Sequence, residues 1–263
     1  MLAPVFVAGL SPRTVKKVCT RALALLQQLC AAHGLPALAT QQGIDPTIAA
    51  AGMTDWHQQS MAAGAVPTLR HDLYTDLQPA LADIRSGFRK SFKPLINVGL
   101  RNWQVFVMQQ AQADAQTWRT FQALHCEVAG RSTRTDDTWA AQLAMIASDD
   151  AFMVGLRDTA NQRLVGGGLF QCTRDEAVYA VGAYDRSLFD KPLGHVVQQV
   201  AIETMKARGL RWYRIGERHY TQDRPTPSDK LVAISAFKQG FASHQFGRFD
   251  FEWMPRPATL HTA

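Results

Sequence analysis

Cysteine is scarce in this chain. The four thiols, Cys19, Cys30, Cys126 and Cys172, share no CxxC spacing and fall inside apolar helical or strand patterns. That argues against a disulfide framework and a zinc-type ligand set, and it predicts reduced core thiols of a cytosolic protein. Long hydrophobic runs are absent too: none approaches the roughly 20 residues that cross a bilayer, so no membrane span is expected. The first ten residues are apolar, yet no basic stretch precedes them and no small-residue cleavage site follows. They read as a strand and not as an export signal. There is no P-loop, no dinucleotide fingerprint, no Ser/His/Asp constellation, no repeat and no low-complexity tract. His125 lies on a helical pattern without a partner at metal-ligand spacing, so no metal is expected.

Acidic residues are in deficit. Asp and Glu number 22 against 28 Lys and Arg, which leaves a net charge of +6. This excess permits a nucleic acid, nucleotide or other anionic partner without requiring one. With 46% hydrophobic and 19% charged residues in 263, the composition is that of a globular protein of one large domain or two small ones.

Ser11 and Pro12 begin a helix as N-cap and first helical residue, and Gly34 and Pro36 end it. A short strand is expected within 37–45, a helix within 46–63 and a strand over 71–77. The segment Leu81 to Arg101 is distinctive. Arg85, Arg89 and Lys93 lie four apart on one expected helical face, with Ile84, Phe88 and Phe92 on the adjacent one. No acidic residue follows Asp83 there, and Pro94 is expected to end the helix. Such one-signed charge is either a solvated face over an apolar stripe or a surface that holds an anion. Trp103–Met108 then reads as a strand, and the chain starts afresh near 109–114.

Two helices follow, ended by Gly130 and joined by the connector Arg131-Ser132-Thr133-Arg134-Thr135-Asp136-Asp137. Three meandering strands come next: Phe152–Leu156, Leu164–Cys172 and Ala177–Tyr184, with turn residues between them. They deliver the loop Arg186-Ser187-Leu188-Phe189-Asp190-Lys191-Pro192-Leu193-Gly194 onto a helix over 194–208. A helix N-terminus reached in this way offers unpaired N–H groups and the positive end of the helix dipole to an anion. A strand over 211–216, a helix from Ser228 to Gly240 and a strand over 248–253 complete the chain.

This order of elements over about 114–254 resembles the GNAT acetyltransferases. Two further stretches resemble the Fem family of aminoacyl transferases, which carry two GNAT-like domains in tandem: the basic segment that precedes this span, and Phe237-Lys238-Gln239-Gly240-Phe241, which fits an FKxxF motif. With RKSFKPLIN, the AGRSTR connector and GAYDRSLFDKPLGH, the form looks closest to Fem-like proteins associated with bacterial surface-sugar and flagellin modification. The resemblance implies an α/β (α+β) fold with a mixed, mostly antiparallel sheet flanked by helices. It also implies an incomplete N-terminal GNAT-like half over 1–110, including a basic linker helix at 81–93, and a C-terminal GNAT-like domain over 111–263. Family members normally carry strands before the position of Pro4. The implied activity is transfer of an activated acyl or aminoacyl group to an amine, on a sugar-containing or anionic precursor. No tightly bound cofactor is implied; the donor is aminoacyl-tRNA or acyl-CoA. GNAT enzymes that use acetyl-CoA carry [QR]xxGx[GA] before the third helix. Here Phe189 stands at the Gln/Arg position, and Pro192 replaces a Gly and removes an N–H donor, which disfavours that mode of CoA binding.

Acyl transfer needs positioning, a route for the amine proton and stabilisation of an oxyanion. The resemblance assigns Lys238 to the reacting acyl centre or the tRNA end; otherwise it is a surface lysine lying beside Phe237. Glu217 ends the strand after the third helix and either accepts a proton from the amine or pairs with Arg214 or Arg218. Tyr184 and Asp185 end the central strand, where Asp185 either positions a substrate group or caps the turn. His195 either donates to a substrate oxygen as a neutral imidazole or stabilises its loop. Arg85, Lys90, Arg101, Arg131 and Arg134 are the candidates for an anion-binding cleft, with Tyr184, His195 and Phe237 as further substrate contacts.

Overall fold

The computed structural model describes residues 4, 6–35, 38–41 and 54–253. Contacts divide the chain into two compact units, 1–71 with 246–263, and 72–245. The division does not fall near 110. Trp103 to Met108 forms β3, and β3 pairs with the Ala151–Asp158 strand along its whole length, from Trp103↔Asp158 to Met108↔Met153. That ladder ties residues 103–108 to the meander.

In the first unit, α1 (Pro12–Ala32) starts as expected: the Ser11 side chain accepts the Thr14 N–H and Pro12 follows it. Cys19 and Leu23 on its buried face meet Trp56, Phe251 and Trp253, with Val15, Ala22 and Leu26 alongside. The expected N-terminal strand does not form over Phe6–Leu10; a turn at Ala8-Gly9 interrupts it, with Gly9 at φ 87°. β1 (Leu38–Gln41) runs antiparallel to β8 (His244–Trp253). α2 (Asp55–Ala62) begins at a capping box between Thr54 and His57. The part of its expected span before residue 54 lies outside the described residues.

The second unit is built on a sheet whose strands lie in the order β2, β7, β6, β5, β4, β3. These are β2 (Val66–Asp76, entering the unit at Asp72), β4 (Ala151–Asp158), β5 (Leu164–Cys172), β6 (Glu176–Tyr184) and β7 (Trp212–Glu217), with β3 at the edge. All neighbours are antiparallel except β6 and β7. Side chains alternate along β4 and so build two cores. Phe152, Val154 and Leu156 join the core beneath α4 (Phe92–Asn102) and α7 (Leu193–Ala207). Ala151 and Met153 join the core beneath α5 (Ala115–Ala129) and α6 (Asp136–Ala147). A fully buried Phe such as Phe152 or Phe170 contributes about 2–3 kcal/mol to such a core. The result is a mixed, mostly antiparallel sheet with helices on both faces.

The basic segment is not a single helix. α3 (Leu81–Ser86) stops at Gly87, and α4 starts at Phe92. Pro94 therefore sits in the first turn of a helix, where its missing N–H has no partner to lose, and does not end one. Ile84, Phe88 and Phe92 still reach the same core, but the break removes the common face expected for Arg85, Arg89 and Lys93.

Candidate functional site

The site begins where β6 and β7 part. Their parallel ladder runs over Glu176↔Trp212, Ala177↔Tyr213 and Val178↔Arg214, and no further pairing is seen among the described residues. Each strand carries one extra residue just beyond that point. In β6 it is Ala180, since Phe170 faces Tyr179 and Leu169 faces Val181. In β7 it is Ile215, since Tyr74 faces Arg214 and Leu73 faces Gly216. A bulge bends a strand, raises its twist and re-aims its side chains; two at one height open a wedge.

Lys238 enters that wedge from α8 (Asp229–Gln239), whose N-cap Ser228 accepts the Leu231 N–H. Its Nζ stands 5.4 Å from the centre of the Tyr179 ring. Gly216 has φ 136°, and a Cβ there would lie 2.6 Å from Lys238 Nζ. The glycine is thus the space the lysine occupies. Burial pushes the Lys238 pKa down, Glu217 draws it back up and Arg214 adds to the depression. Among the described residues the ammonium has no hydrogen-bond or ion-pair partner. A partly withdrawn cation with open donors suits an incoming oxygen that is gaining negative charge.

Tyr179 was not among the residues singled out from the sequence. Its hydroxyl meets that of Tyr184 at 2.8 Å. Behind them, the Tyr213 hydroxyl donates to Oε1 of the fully buried Gln198 at 2.5 Å. Burial pushes Tyr179 up to about 12, against smaller downward pulls from Tyr184 and Gln198. The signal in the sequence was the Gly166-Gly167-Gly168 run, whose Gly168 pairs with Gly182 and leaves a bare patch that a larger side chain must cover.

At the start of α7, His195 is held edge-on by two rings, Phe92 at 4.6 Å and Phe237 at 5.0 Å. Burial, with Arg89 nearby, lowers its pKa to about 4, so the ring is neutral at physiological pH. The Phe237 ring lies against Gly194, where a Cβ would be 3.1 Å from it and 3.6 Å from Tyr184. These residues suit a pyrophosphate poorly. Pro192 has no N–H, the Leu193 N–H is already bonded to the Lys191 carbonyl at 2.9 Å, and Asp190 adds a carboxylate paired with Lys191.

Lys238, Tyr184, His195 and Phe237 therefore gather on one side of the sheet, and Glu217, opposite Asp72 in the ladder, is near enough to raise the Lys238 pKa. Glu217 is 3.9 Å from His219. Its two suggested arginine partners have other bonds: Arg214 with Asp72 at 2.9 Å, and Arg218 with Gln239 and Ser235. Asp185 serves the turn. It accepts from the Ser187 N–H and hydroxyl and pairs with Arg163 at 2.7 Å, and these bonds lower its pKa, the Ser187 side chain foremost. Arg85 bonds to Asn97, while Lys90 and Arg101 are exposed. Arg134 lies 3.2 Å from His125 and over Trp139, which belongs to the α5/α6 core. Arg131, exposed, shares that connector. The sheet stands between this pair and Lys238, so the five expected cations do not form one cleft. Among the described residues no group of three His, Cys, Asp or Glu is placed to hold a metal ion, and no helix is long and apolar enough to cross a membrane.

No family model and no curated protein sequence matches this chain. Solved structures do. FemX aligns with a TM-score of 0.65 at 13% identity, over 91% of this chain and 77% of its own. A tandem GNAT protein from the clavulanic acid biosynthesis pathway aligns at 0.53 and 16% identity, over 90% of this chain and 70% of its own. The fold is GNAT-like. The C-terminal domain of an Agrobacterium fabrum protein described as a lysylphosphatidylglycerol synthetase shares this GNAT-like fold at 0.56 and 13% identity, over 89% and 73% of the two chains. At these identities the likeness is one of architecture.

Proposed function

We propose that this protein transfers an activated acyl or aminoacyl group to an amine nitrogen on a sugar-containing or anionic precursor. The observation that carries the reading is the Lys238 ammonium, without a hydrogen-bond or ion-pair partner among the described residues and set beside the Tyr179 ring in the wedge between β6 and β7. The GNAT-like likeness to FemX and to the clavulanic-pathway protein supports the same class of chemistry. The donor carbonyl would lie in the wedge, where Lys238 neutralises the oxyanion as the carbon becomes tetrahedral. Glu217 takes the proton that an incoming ammonium must lose before it attacks. His195 stays neutral beside Phe237 and binds without competing for that proton. Attack is direct, with donor and acceptor bound together and no covalent enzyme intermediate.

The donor we favour is aminoacyl-tRNA over acyl-CoA, since Pro192 and the bonded Leu193 N–H weaken the helix end as a pyrophosphate site. The test supplies radiolabelled aminoacyl-tRNA and, separately, radiolabelled acyl-CoA with a panel of amino-sugar and surface-polymer precursors. Label is expected in a precursor from the tRNA donor. Transfer from neither donor would overturn the reading; transfer from acyl-CoA, with CoA raising the melting temperature, would replace the donor and keep the chemistry.

A further inference from the structure

Three glycines clear one patch of the sheet on the face that meets α7. Gly168 pairs with Gly182, and Gly166 with Tyr184. A Cβ on Gly182 would stand 1.9 Å from Tyr179 Oη, one on Gly168 2.9 Å from Tyr179 Cε2, and one on Gly166 2.8 Å from Tyr184 Cδ1. Glycine inside a strand weakens it and commonly marks the close approach of another group. Here the approaching groups are two tyrosine rings. The extra residue Ala180 brings Tyr179, Gly182 and Tyr184 onto the same face, with the glycine as the gap across which the hydroxyls meet at 2.8 Å.

Packing alone does not call for those hydroxyls. Tyr179 stacks on Phe170 at 5.2 Å through its ring, and Tyr184 meets Gly194 through its ring carbons. The hydroxyls lie beside the wedge: Lys238 Nζ is near the same Tyr179 ring, and Gly182, under the Tyr179 hydroxyl, is exposed. Burial drives both phenols upward, Tyr179 to about 12 and Tyr184 well above its ordinary value, so each keeps its proton at neutral pH.

We infer that the Tyr179–Tyr184 hydroxyl pair is the proton relay of the transfer reaction. This inference rests on the transferase reading above. One hydroxyl gives its proton to the atom departing from the acyl carbon. The second refills it across the 2.8 Å contact and takes up the proton that the nitrogen sheds once its bond to carbon has formed. The C–N bond forms, the bond to the leaving atom breaks, the amine loses one proton, the leaving atom gains one, and both tyrosines end as they began. Glu217 handles only the earlier proton of the incoming ammonium, so two protons take two routes.

The relay predicts that sensitivity to Tyr179→Phe and Tyr184→Phe depends on how basic the departing atom is. Two donors of one amino acid separate the cases, with hydroxylamine as acceptor: the ester of an adenosine ribose hydroxyl, and the p-nitrophenyl ester. The ribose oxygen needs a proton to leave; p-nitrophenolate does not. Each variant should lower turnover of the ribose ester about 100-fold, the lower end of general-acid effects, and change the p-nitrophenyl ester by less than about two-fold. Gly182→Ala, which displaces Tyr179 Oη, should show the same selective loss. Thermal melts of the two Phe variants should match the wild type. Equal losses on both esters, or no loss on the ribose ester, overturn the relay. A wild type that moves no acyl group from any donor overturns the transferase reading itself.

Discussion

A cation drawn out of water costs stability unless something compensates it, and Lys238 has no carboxylate within bonding distance among the described residues. Burial disfavours its charged form, so a chain selected only for stability gains from an apolar side chain of the same length. Lys238→Met is therefore expected to leave the free energy of unfolding unchanged or to raise it by up to about 1 kcal/mol. The same change should lower acyl transfer about 100-fold or more, the usual effect of removing an oxyanion donor. Denaturant melts paired with the radiolabel assay check both halves. His195 gives a second residue-level expectation, on pH. Its folded pKa of about 4 lies below the ordinary 6.5. The unfolded chain therefore binds the extra proton in that window, and stability falls as pH drops from about 6.5 toward 4. The loss should be about 2 kcal/mol once solvent screening of the partly exposed ring is allowed for. Urea titrations at both ends of the window should show this difference between wild type and His195→Phe.

Elements explain what could be read from the sequence and what could not. Helix caps and strand alternation are local, so Ser11 with Pro12, Ser228 and the three-strand meander were legible with nearly their final limits. Lys238 was legible through the FKxxF motif. The tyrosine pair was not, because its meaning depends on the bulge at Ala180, which sets residues 179 and 184 on one face despite their odd spacing. The arginine cleft failed for a related reason: which side of a sheet a connector lies on is decided by the helices it joins, and α5 and α6 cover the other side. Pro94 misled because proline both ends helices and opens them. The bulge in β7 gives the prediction at this scale. Gly216 at φ 136° tolerates no side chain without strain, and a Cβ would take the place of Lys238 Nζ. Gly216→Ala should cost about 1–3 kcal/mol and lower transfer at least tenfold, since the lysine must leave the wedge. A Gly216→Ala/Lys238→Met double variant should recover part of that stability but none of the activity, because the thioether yields where the ammonium cannot.

At the scale of the whole molecule, the net charge of +6 acts on any polyanionic donor before chemistry begins. Arg85, Lys90 and Arg101 lie on or beside α3 and α4, in the same unit as Lys238, while Arg131 and Arg134 face the other side of the sheet. If aminoacyl-tRNA is the donor, its capture releases counterions, and kcat/KM falls steeply with salt while kcat holds. We expect a loss of at least about tenfold between roughly 50 and 200 mM salt. The joint replacement Arg85→Ala, Lys90→Ala and Arg101→Ala should make the log–log slope shallower by about 2, at about 0.7 per cation removed. Replacing Arg131 and Arg134 should leave the slope nearly unchanged, because those side chains face away from the acyl centre. Initial-rate kinetics across a salt series with each variant measure both slopes. A flat wild-type profile would show that charge does not recruit the donor, and would point back to a small thioester held by the wedge itself.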